Sequence, residues 1–274
     1  MLEKIKKYFK KLYRANNKVT NGMLPASLAY YFVLAIIPIL TLTVLIASSF
    51  NISIDSVSSL IRSILPDKAS NFIVDIISGK SFDSTVGVFN IIAFIVATNG
   101  TYAIIKASNT LYKVEKSDVI KDRIKSVILL VAILTLLIFL ILFPIFGDKI
   151  LESIKNNDIL VNVIDEIIIL FKIIKWPLTF LILFFNIKLI YTISPSTNVL
   201  SQHTTYGALS TTFLWIVLTA IFSYYLKYFA RYDILYGNLS SIIILMIWLY
   251  MISYTFILGI VINTTKYKEV KKED

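Results

Sequence analysis

Residues 28–50 read LAYYFVLAIIPILTLTVLIASSF, an apolar run without a single charged side chain. A run of about 20 such residues is long enough to cross the hydrocarbon core of a bilayer as one helix. Pro38 lies inside this run. Because proline lacks an N–H and crowds the preceding turn, we expect the helix to kink there and to free a backbone carbonyl. The stretch therefore predicts a transmembrane helix with a weak point near its middle.

Apolar runs of similar length recur along the chain and predict five further transmembrane helices. They lie at residues 85–106, 124–147, 173–193, 206–229 and 239–262. Of the 274 residues, 57% are hydrophobic and 16% are charged, whereas soluble domains have about a quarter charged residues. No long polar linker separates the runs. We therefore predict an all-α polytopic membrane helical bundle, with residues 1–274 as one integral membrane domain and residues 28–262 as its six-helix region.

Three polar stretches beside the predicted spans have apolar residues at helical spacing. Residues 1–27 form a basic amphipathic segment, and residues 51–83 and 148–166 combine acids with regularly spaced apolar side chains. This pattern is typical of short helices that lie at a membrane surface. Two such helices are predicted within residues 51–83, one from Val57, Leu60, Ile61 and Ile64 and one from Phe72, Ile73, Ile76 and Ile77.

The positions of lysine and arginine predict the orientation in the membrane. Seven lie in residues 1–18, six in residues 106–125 and four in the tail at residues 263–274, whereas the predicted external segments together hold nine. Because Lys and Arg accumulate on the cytoplasmic side, we expect both termini there. The N-terminal basic stretch precedes a full-length span, so no cleaved signal peptide is expected. The prediction is a multi-pass protein of the bacterial inner (plasma) membrane.

The residue inventory argues against several kinds of catalytic site. The chain has no cysteine and one histidine, His203, in a Ser/Gln/Thr-rich segment that we expect to be a solvated loop. It has no glycine-rich phosphate loop, and no carboxylate falls inside a predicted span. We therefore predict no catalytic residue, no metal, no cofactor and no nucleic-acid partner, and a protein that is not an enzyme. The missing intramembrane acids also argue against a proton-coupled carrier.

Aromatic and cationic residues cluster at the end of the predicted fifth span. The cluster comprises Tyr224, Lys227, Tyr228, Arg231 and Tyr236. Lys and Arg usually accumulate on the cytoplasmic side, whereas these two cations lie on the predicted outer side. We therefore expect them to have an anionic partner. That partner is either a carboxylate such as Asp233, in a structural ion pair, or a lipid phosphate, which Arg can bind with two hydrogen bonds.

Other residues in the predicted spans are candidates for a cavity or for close packing. Pro38 and Pro177 are expected to interrupt their helices. Asn99 and Asn109 either hydrogen-bond between helices or, with the prolines, line a cavity that opens to lipid. Close packing is expected at Gly237 and Gly259, and Gly237 is also expected to let the chain turn closely before the sixth span.

Several short motifs, taken in order along the chain, resemble one known family. They are Leu28-Ala-Tyr-Tyr-Phe-Val-Leu-Ala-Ile-Ile-Pro38, Asn109 with Tyr112, Ser194-Pro195, Gly207-Ala-Leu209, Arg231-Tyr-Asp-Ile-Leu-Tyr-Gly237, Leu245-Met-Ile-Trp-Leu-Tyr250, and Gly259 with Asn263. On these motifs the chain resembles the YihY/BrkB family of bacterial membrane proteins, long labelled ribonuclease BN-like. The resemblance implies a six-helix membrane protein, and members of the family have been linked to envelope integrity and proposed to move lipids.

Three functions stay open at this point. The first is a transporter or flippase for an anionic lipid or other amphiphile, acting in envelope maintenance, with membrane lipids as partners. The second is a non-catalytic membrane scaffold that holds an envelope protein on its outer amphipathic segments. The third is a membrane-bound ribonuclease. The lone His203 argues against the third, because metal-dependent hydrolysis needs several clustered ligands.

Overall fold

The computed structural model describes residues 23–49, 54–64, 67–68, 70–71, 74, 86–155, 164–229 and 232–270. Over these residues the chain forms α-helices, a 3-10 turn at Gly237–Leu239, and no strand. The α-helices are α1 (Leu24–Ser49), α2 (Ile54–Ile64), α3 (Val86–Tyr112), α4 (Val119–Lys155), α5 (Ile164–Ile193), α6 (Ser201–Tyr228), α7 (Tyr232–Tyr236) and α8 (Ser240–Val270). The all-α class predicted from the sequence is confirmed.

Six long helices, α1, α3, α4, α5, α6 and α8, coincide with the predicted spans. Within the described residues, four segments are long and apolar enough to cross a membrane: Leu24–Ile46, Ile91–Tyr112, Ser201–Tyr228 and Ser240–Thr265. A shorter apolar segment, Pro177–Ile193, lies in α5. The protein is therefore a membrane helical bundle.

The six long helices pack as a closed ring. Each helix contacts the next long helix in the sequence, and the ring closes where α8 packs against α1. The connections from α3 to α4, from α5 to α6 and from α6 to α8 are short, which keeps these pairs of helices adjacent. α1 also contacts α4, and α8 also contacts α3, so these cross-ring contacts fill the middle of the bundle.

Four segments that are distant in sequence meet at one end of the bundle. They are the start of α1, the α3–α4 corner, the α5–α6 connection and the last turns of α8. Asn109 hydrogen-bonds to Ser196 in the α5–α6 connection, and the rings of Tyr112 and Tyr267 lie 5.6 Å apart. We call this the basic end, after the cations of the α3–α4 corner, Lys106, Lys113, Lys116, Lys121, Arg123 and Lys125. The sequence predicts this end to be cytoplasmic.

The short helix α2 covers part of the opposite end. The apolar spacing that begins at Val57 predicted this helix, and the structure confirms it. Val57 and Ile61 are buried against Leu40 of α1, Phe222 of α6 and Ile244 of α8. The apolar face of α2 therefore packs within the protein, which differs from the predicted position on a membrane surface.

The largest differences from the predicted spans are at three helix boundaries. α4 continues past residue 147 to Lys155, so the predicted surface segment 148–166 begins as part of the third long helix. α5 begins at Ile164, which puts Pro177 well inside the helix instead of near its start. α8 continues to Val270, beyond the predicted end at residue 262. An apolar run shows only the part of a helix that lies in the hydrocarbon core. The backbone hydrogen bonds of the helix can continue beyond that part, so the helices are longer than the apolar runs.

Two predicted segments lie outside the described residues. They are the basic N-terminal stretch at residues 1–22 and the apolar group Phe72, Ile73, Ile76 and Ile77.

Candidate functional site

The corner between α3 and α4 brings several polar residues of the basic end together. At the end of α3, Lys113 adopts a left-handed backbone conformation with φ of 57°, and the N–H of Val114 returns to the Asn109 carbonyl at 2.9 Å. α4 then begins with Asp118, whose side chain accepts from the N–H of Ile120 at 2.9 Å and so caps the helix. The tight corner directs the first turn of α4 against α3.

A buried carboxylate, Asp122, occupies that first turn. Its side chain is 1% exposed. The Ser196 hydroxyl donates to one carboxylate oxygen at 2.6 Å, and the Asn109 amide and the Lys106 ammonium donate to the other at 3.3 and 3.4 Å. The start of a helix also favours negative charge. Asp122 therefore has a cation, two neutral donors and a helix N-terminus around it.

The same network holds the α5–α6 connection. The backbone N–H of Ser196 donates to the Asn109 side chain at 2.7 Å, and Lys125 donates to the carbonyl of Pro195 at 2.8 Å. The hydroxyls of Ser108 and Ser194 lie 2.7 Å apart. We call these contacts, with those of Asp122, the polar junction. It connects α3 and α4 to the segment that joins α5 and α6.

A groove of about 400 Å³ opens beside the polar junction, between α1, α3 and α4. Its polar lining residues are Ser27, Tyr31, Asn99, Tyr102, Lys106, Thr110 and Arg123, and its apolar ones are Leu24, Leu28, Ala103 and Ala107. Lys106 thus belongs both to the groove and to the polar junction. Ile95, one turn from Asn99, and Val127, one turn from Arg123, lie exposed on the outside of the bundle. The groove therefore combines cations with nearby apolar surface.

Tyr102 holds the two cations of the groove in position. The Arg123 guanidinium carbon lies 4.0 Å from the centre of the Tyr102 ring, and the Lys106 ammonium lies 5.1 Å from it. Arg123 also donates to the Asn99 side chain at 2.8 Å. Neither the Tyr102 ring nor the Asn99 amide carries a negative charge that would neutralise the Arg123 guanidinium. Its remaining N–H groups can therefore donate to an anion.

The sequence model of the family described as virulence factor BrkB matches residues 17–274. The chain belongs to the BrkB family. It is similar to YfkH of Bacillus subtilis (strain 168), which is named a ribonuclease-like protein, with 30% identity over 254 residues and 91% of each chain covered. It is 27% identical over 211 residues to a UPF0761 membrane protein of Klebsiella pneumoniae (strain 342), covering 76% of this chain and 69% of the relative. No solved structure matches this BrkB-family protein.

The motifs that carried the resemblance meet in space. Asn109 and Ser194-Pro195 are parts of the polar junction. On α6, the backbone N–H of Gly207 donates to the side chain of Asn263 on α8 at 2.9 Å. Motif residues of the BrkB-family protein thus join helices that the sequence separates widely.

The predicted cluster at the opposite end is partly described. Tyr224 and Tyr228 are exposed with ring centroids 4.7 Å apart, and the Lys227 ammonium lies 5.3 Å from the Tyr228 ring. Tyr236 is exposed on α7, and Arg231 lies outside the described residues. Burial raises the pKa of Tyr232, and a hydrogen bond with Tyr225 adds to this effect. This end of the BrkB-family protein presents an exposed aromatic surface with a cation.

The prolines and asparagines of the predicted cavity lie in different surroundings. α1 and α5 run through Pro38 and Pro177 without interruption, so neither proline ends a helix. Asn99 lines the groove, whereas Asn109 is buried in the polar junction. The structure therefore brings Asn99 to a cavity and gives Asn109 a role in joining helices.

The two predicted close-packing glycines differ. A Cβ on Gly259 would overlap the hydroxyls of Thr211 and Tyr191, so close packing is correct for Gly259. Gly237 has a φ of 51°, and among the described residues no atom lies within 4 Å of a Cβ built there. Close packing is wrong for Gly237, whereas the turn predicted there is confirmed. Its glycine is required by the left-handed turn before α8.

The prediction of a solvated loop at His203 is wrong. His203 lies in the first turn of α6 and is buried, with its ring 6.4 Å from that of Tyr267. Within the described part of the chain, its Nδ1 lacks a hydrogen-bond partner, as do the Tyr112 hydroxyl and the Asn263 amide nitrogen. No group of three or more His, Asp or Glu side chains with metal-binding geometry occurs in that part either.

Sequence reasoning missed the most buried charge of the site. Asp122 lies two residues before the predicted span that begins at residue 124, and Lys121, Arg123 and Lys125 surround it in the sequence. The missed signal is spacing: Asp122 follows the helix-capping Asp118 by one turn and lies on a different helical face from Lys121 and Arg123. Among the three cations at the start of α4, the Asp122 side chain is thus directed inward.

Proposed function

We propose that this BrkB-family membrane protein carries an anionic amphiphile, such as an anionic phospholipid, between the two leaflets of the bacterial inner membrane. The observation that carries the proposal is the groove between α1, α3 and α4. It offers Arg123 and Lys106 beside an apolar outer surface at one end of a membrane bundle. This arrangement suits a ligand with a negative headgroup and hydrocarbon chains.

The chemistry of the two cations favours a phosphate. A guanidinium can donate two parallel hydrogen bonds to phosphate oxygens, and an ammonium adds a compact positive charge. The Arg123 guanidinium lies on the Tyr102 ring, so its geometry is set before a ligand arrives. Preorganised donors lose less conformational entropy on binding. The apolar residues Ile95 and Val127 beside the groove provide surface for acyl chains.

A second cationic region lies at the opposite end of the bundle. Lys227 adjoins the exposed rings of Tyr224 and Tyr228, and aromatic rings of this kind are favoured at the level of lipid headgroups. A carrier of lipids needs a headgroup site near each leaflet. We propose the groove as the inner site and the region of Lys227 and Arg231 as the outer site.

Lipid movement in reconstituted vesicles tests this function. The full-length protein is placed in phosphatidylcholine vesicles with fluorescent phosphatidylglycerol, and dithionite bleaches the label of the outer leaflet. We expect protein-dependent loss of the protected fraction, which Arg123→Gln slows severalfold. Lys121→Gln is the matched control, because Lys121 is exposed on the same helix and pairs with Asp118 instead of lining the groove. No protein-dependent movement of any anionic lipid would contradict the proposal.

The exposed surface of α7 favours one alternative, a non-catalytic scaffold. Phe229, Ile234 and Leu235 lie largely exposed beside the tyrosines at the end opposite the basic end. A contiguous apolar patch can serve as a docking surface for another protein. Crosslinking from α7 in native membranes, followed by mass spectrometry, tests this function. A scaffold is expected to give one stoichiometric protein partner, and a lipid carrier is not.

We also propose that the protein is not a ribonuclease, although a relative carries a ribonuclease-like name. Incubating the purified protein with RNA and Mg²⁺ or Mn²⁺ tests this point. RNA cleavage that co-purifies with the protein and is lost in His203→Gln would overturn it.

A further inference from the structure

The Lys106 ammonium lies between two negative partners, one present and one proposed. It donates to Asp122 at 3.4 Å, and it also lines the groove. Its side chain is 45% exposed, whereas that of Asp122 is 1% exposed. The lysine can therefore turn towards the groove by rotating its flexible stem, but the carboxylate cannot follow it.

Asp122 has no second cation among the described residues. On its own helix, Asp118 pairs with Lys121, Arg123 contacts Asn99 and Tyr102, and Lys125 donates to the Pro195 carbonyl. From α3 it meets Lys106 and the neutral Asn109, and from the α5–α6 connection it meets the neutral Ser196. If Lys106 leaves, two neutral donors and the helix N-terminus remain around a buried charge.

We propose that Asp122 is a proton-binding site coupled to anion binding in the groove. An anionic headgroup draws Lys106 away from Asp122. A buried carboxylate without its cation is strongly disfavoured, and the uncharged acid becomes the stable form. One proton from bulk water then adds to the carboxylate, Lys106 stays protonated, and no covalent bond of the ligand changes. This inference rests on the proposed function, and it adds a coupling ion to it.

The coupling has a defined sign. Because the lipid and a proton on Asp122 are bound together in this proposal, lowering the pH favours the lipid-bound form, in which Lys106 and Arg123 both face the anion. Raising the pH favours the lipid-free form, in which Lys106 pairs with the Asp122 carboxylate, so anion binding weakens. Linkage of one proton to one ligand gives a limiting slope of about tenfold in Kd per pH unit.

Binding measured at several pH values tests the coupling. The probe is dioctanoyl phosphatidylglycerol, whose phosphodiester keeps one negative charge over the range, added to the full-length protein in dodecyl maltoside between about pH 5.5 and 8.5. Isothermal titration calorimetry measures binding. A second arm uses glycerophosphoglycerol, the same phosphodiester without acyl chains, and a third uses zwitterionic dioctanoyl phosphatidylcholine. We expect the chain-bearing anion to bind most tightly and its Kd to rise with pH.

The variants separate the coupling from the binding itself. Asp122→Asn is expected to bind phosphatidylglycerol at all pH values as tightly as the wild type does at low pH, without a pH slope. Asp118→Asn keeps the helix cap and is expected to keep the wild-type slope. A wild-type slope in Asp122→Asn overturns the proton site but leaves the lipid carrier standing. Absence of phosphatidylglycerol binding at every pH overturns both.

Calorimetry on the wild type provides a test that does not depend on the folding of any variant. Heats of phosphatidylglycerol binding in buffers with different ionisation enthalpies give the number of protons taken up. We expect uptake approaching one proton per lipid in the range where Kd changes with pH. Binding without proton uptake across that range overturns the proposal.

Discussion

The backbone N–H of Gly207 donates to the side-chain oxygen of Asn263 at 2.9 Å, which joins α6 directly to α8. A Cβ on Gly207 would overlap both this oxygen and the carbonyl of Gly259. The hydroxyl of Tyr191 on α5 donates to the Phe256 carbonyl of α8 at 2.8 Å nearby. Three helices therefore approach each other through hydrogen bonds and small residues, as is common in membrane bundles.

Gly207→Ala is expected to destabilise the protein by roughly 1 to 3 kcal/mol, because the backbone carbonyl of Gly259 cannot move away without shifting α8. Thermal unfolding in dodecyl maltoside measures the effect. Leu209→Val, which alters an exposed side chain on the same helix, is the matched control. Equal unfolding temperatures for Gly207→Ala and the wild type would contradict the close approach of α6 and α8.

A second carboxylate in the polar junction is expected to be strongly unfavourable. Asn109→Asp puts a like charge beside Asp122, where Asn109 now donates a hydrogen bond at 3.3 Å. Repulsion between buried carboxylates is relieved when one is protonated, so this variant is expected to be more stable at low pH than at high pH. Adding Asp122→Asn restores a donor and an acceptor and is expected to recover stability. A double variant no more stable than Asn109→Asp would exclude direct contact of the two side chains.

Tyr102 is expected to contribute to lipid binding through the face of its ring. Tyr102→Leu removes the surface under Arg123 and Lys106, and we expect a loss of roughly 0.5 to 2 kcal/mol, or about 2- to 30-fold in affinity for phosphatidylglycerol. Tyr102→Phe keeps the ring and is expected to keep most of the affinity. Equal losses in the two variants would assign the effect to the hydroxyl.

At the opposite end, Lys227→Gln and Arg231→Gln are expected to slow the movement of labelled phosphatidylglycerol in vesicles. The Lys227 ammonium lies 5.3 Å from the centre of the Tyr228 ring. Lys113→Gln, an exposed cation of the basic end outside the groove, serves as the control. Unchanged movement in the double variant would remove the proposed outer headgroup site.

Orientation is testable because the chain contains no cysteine. Lys116→Cys puts one thiol at the exposed α3–α4 corner, and Leu235→Cys puts one on α7, where the native side chain is 76% exposed. In intact spheroplasts, a membrane-impermeant maleimide is expected to label only Leu235→Cys. Lys116→Cys is expected to react after permeabilisation. The reverse labelling pattern would mean that the basic end faces outward.

The helices were predictable from the sequence because each apolar run is long enough to cross the bilayer as a helix, whatever it packs against. Residues 28–50 need no partner to identify them as a span, and the spacing from Val57 to Ile61 predicts α2 equally well. How α2 packs was not predictable, since the spacing gives an apolar face but not what covers it. Here α2 packs against α1 and α4, and its apolar face joins a core cluster with residues of α6 and α8.

The polar site was harder to predict, because its residues resemble loop residues until the helices come together. His203 begins α6 in a polar segment, and its burial depends on Tyr267, which follows 64 positions later in the chain. Asp122 is surrounded in sequence by cations, and its burial depends on Ser196 and Asn109. Local composition carries no information about such distant partners. Lys227 was accessible to prediction because its aromatic neighbours are on the same helix.

The polar junction also sets an order for assembly during synthesis. Ser196 follows Asp122 by 74 positions, so at about 5 to 20 residues per second the ribosome reaches Ser196 roughly 4 to 15 s after Asp122. Until then Asp122 has its partners from α3, but its shortest hydrogen bond is missing. A nascent chain that stops after α4 therefore carries an incomplete polar site in the membrane. The polar junction of the first half of the chain is completed only when Ser196, in the second half, has been synthesised.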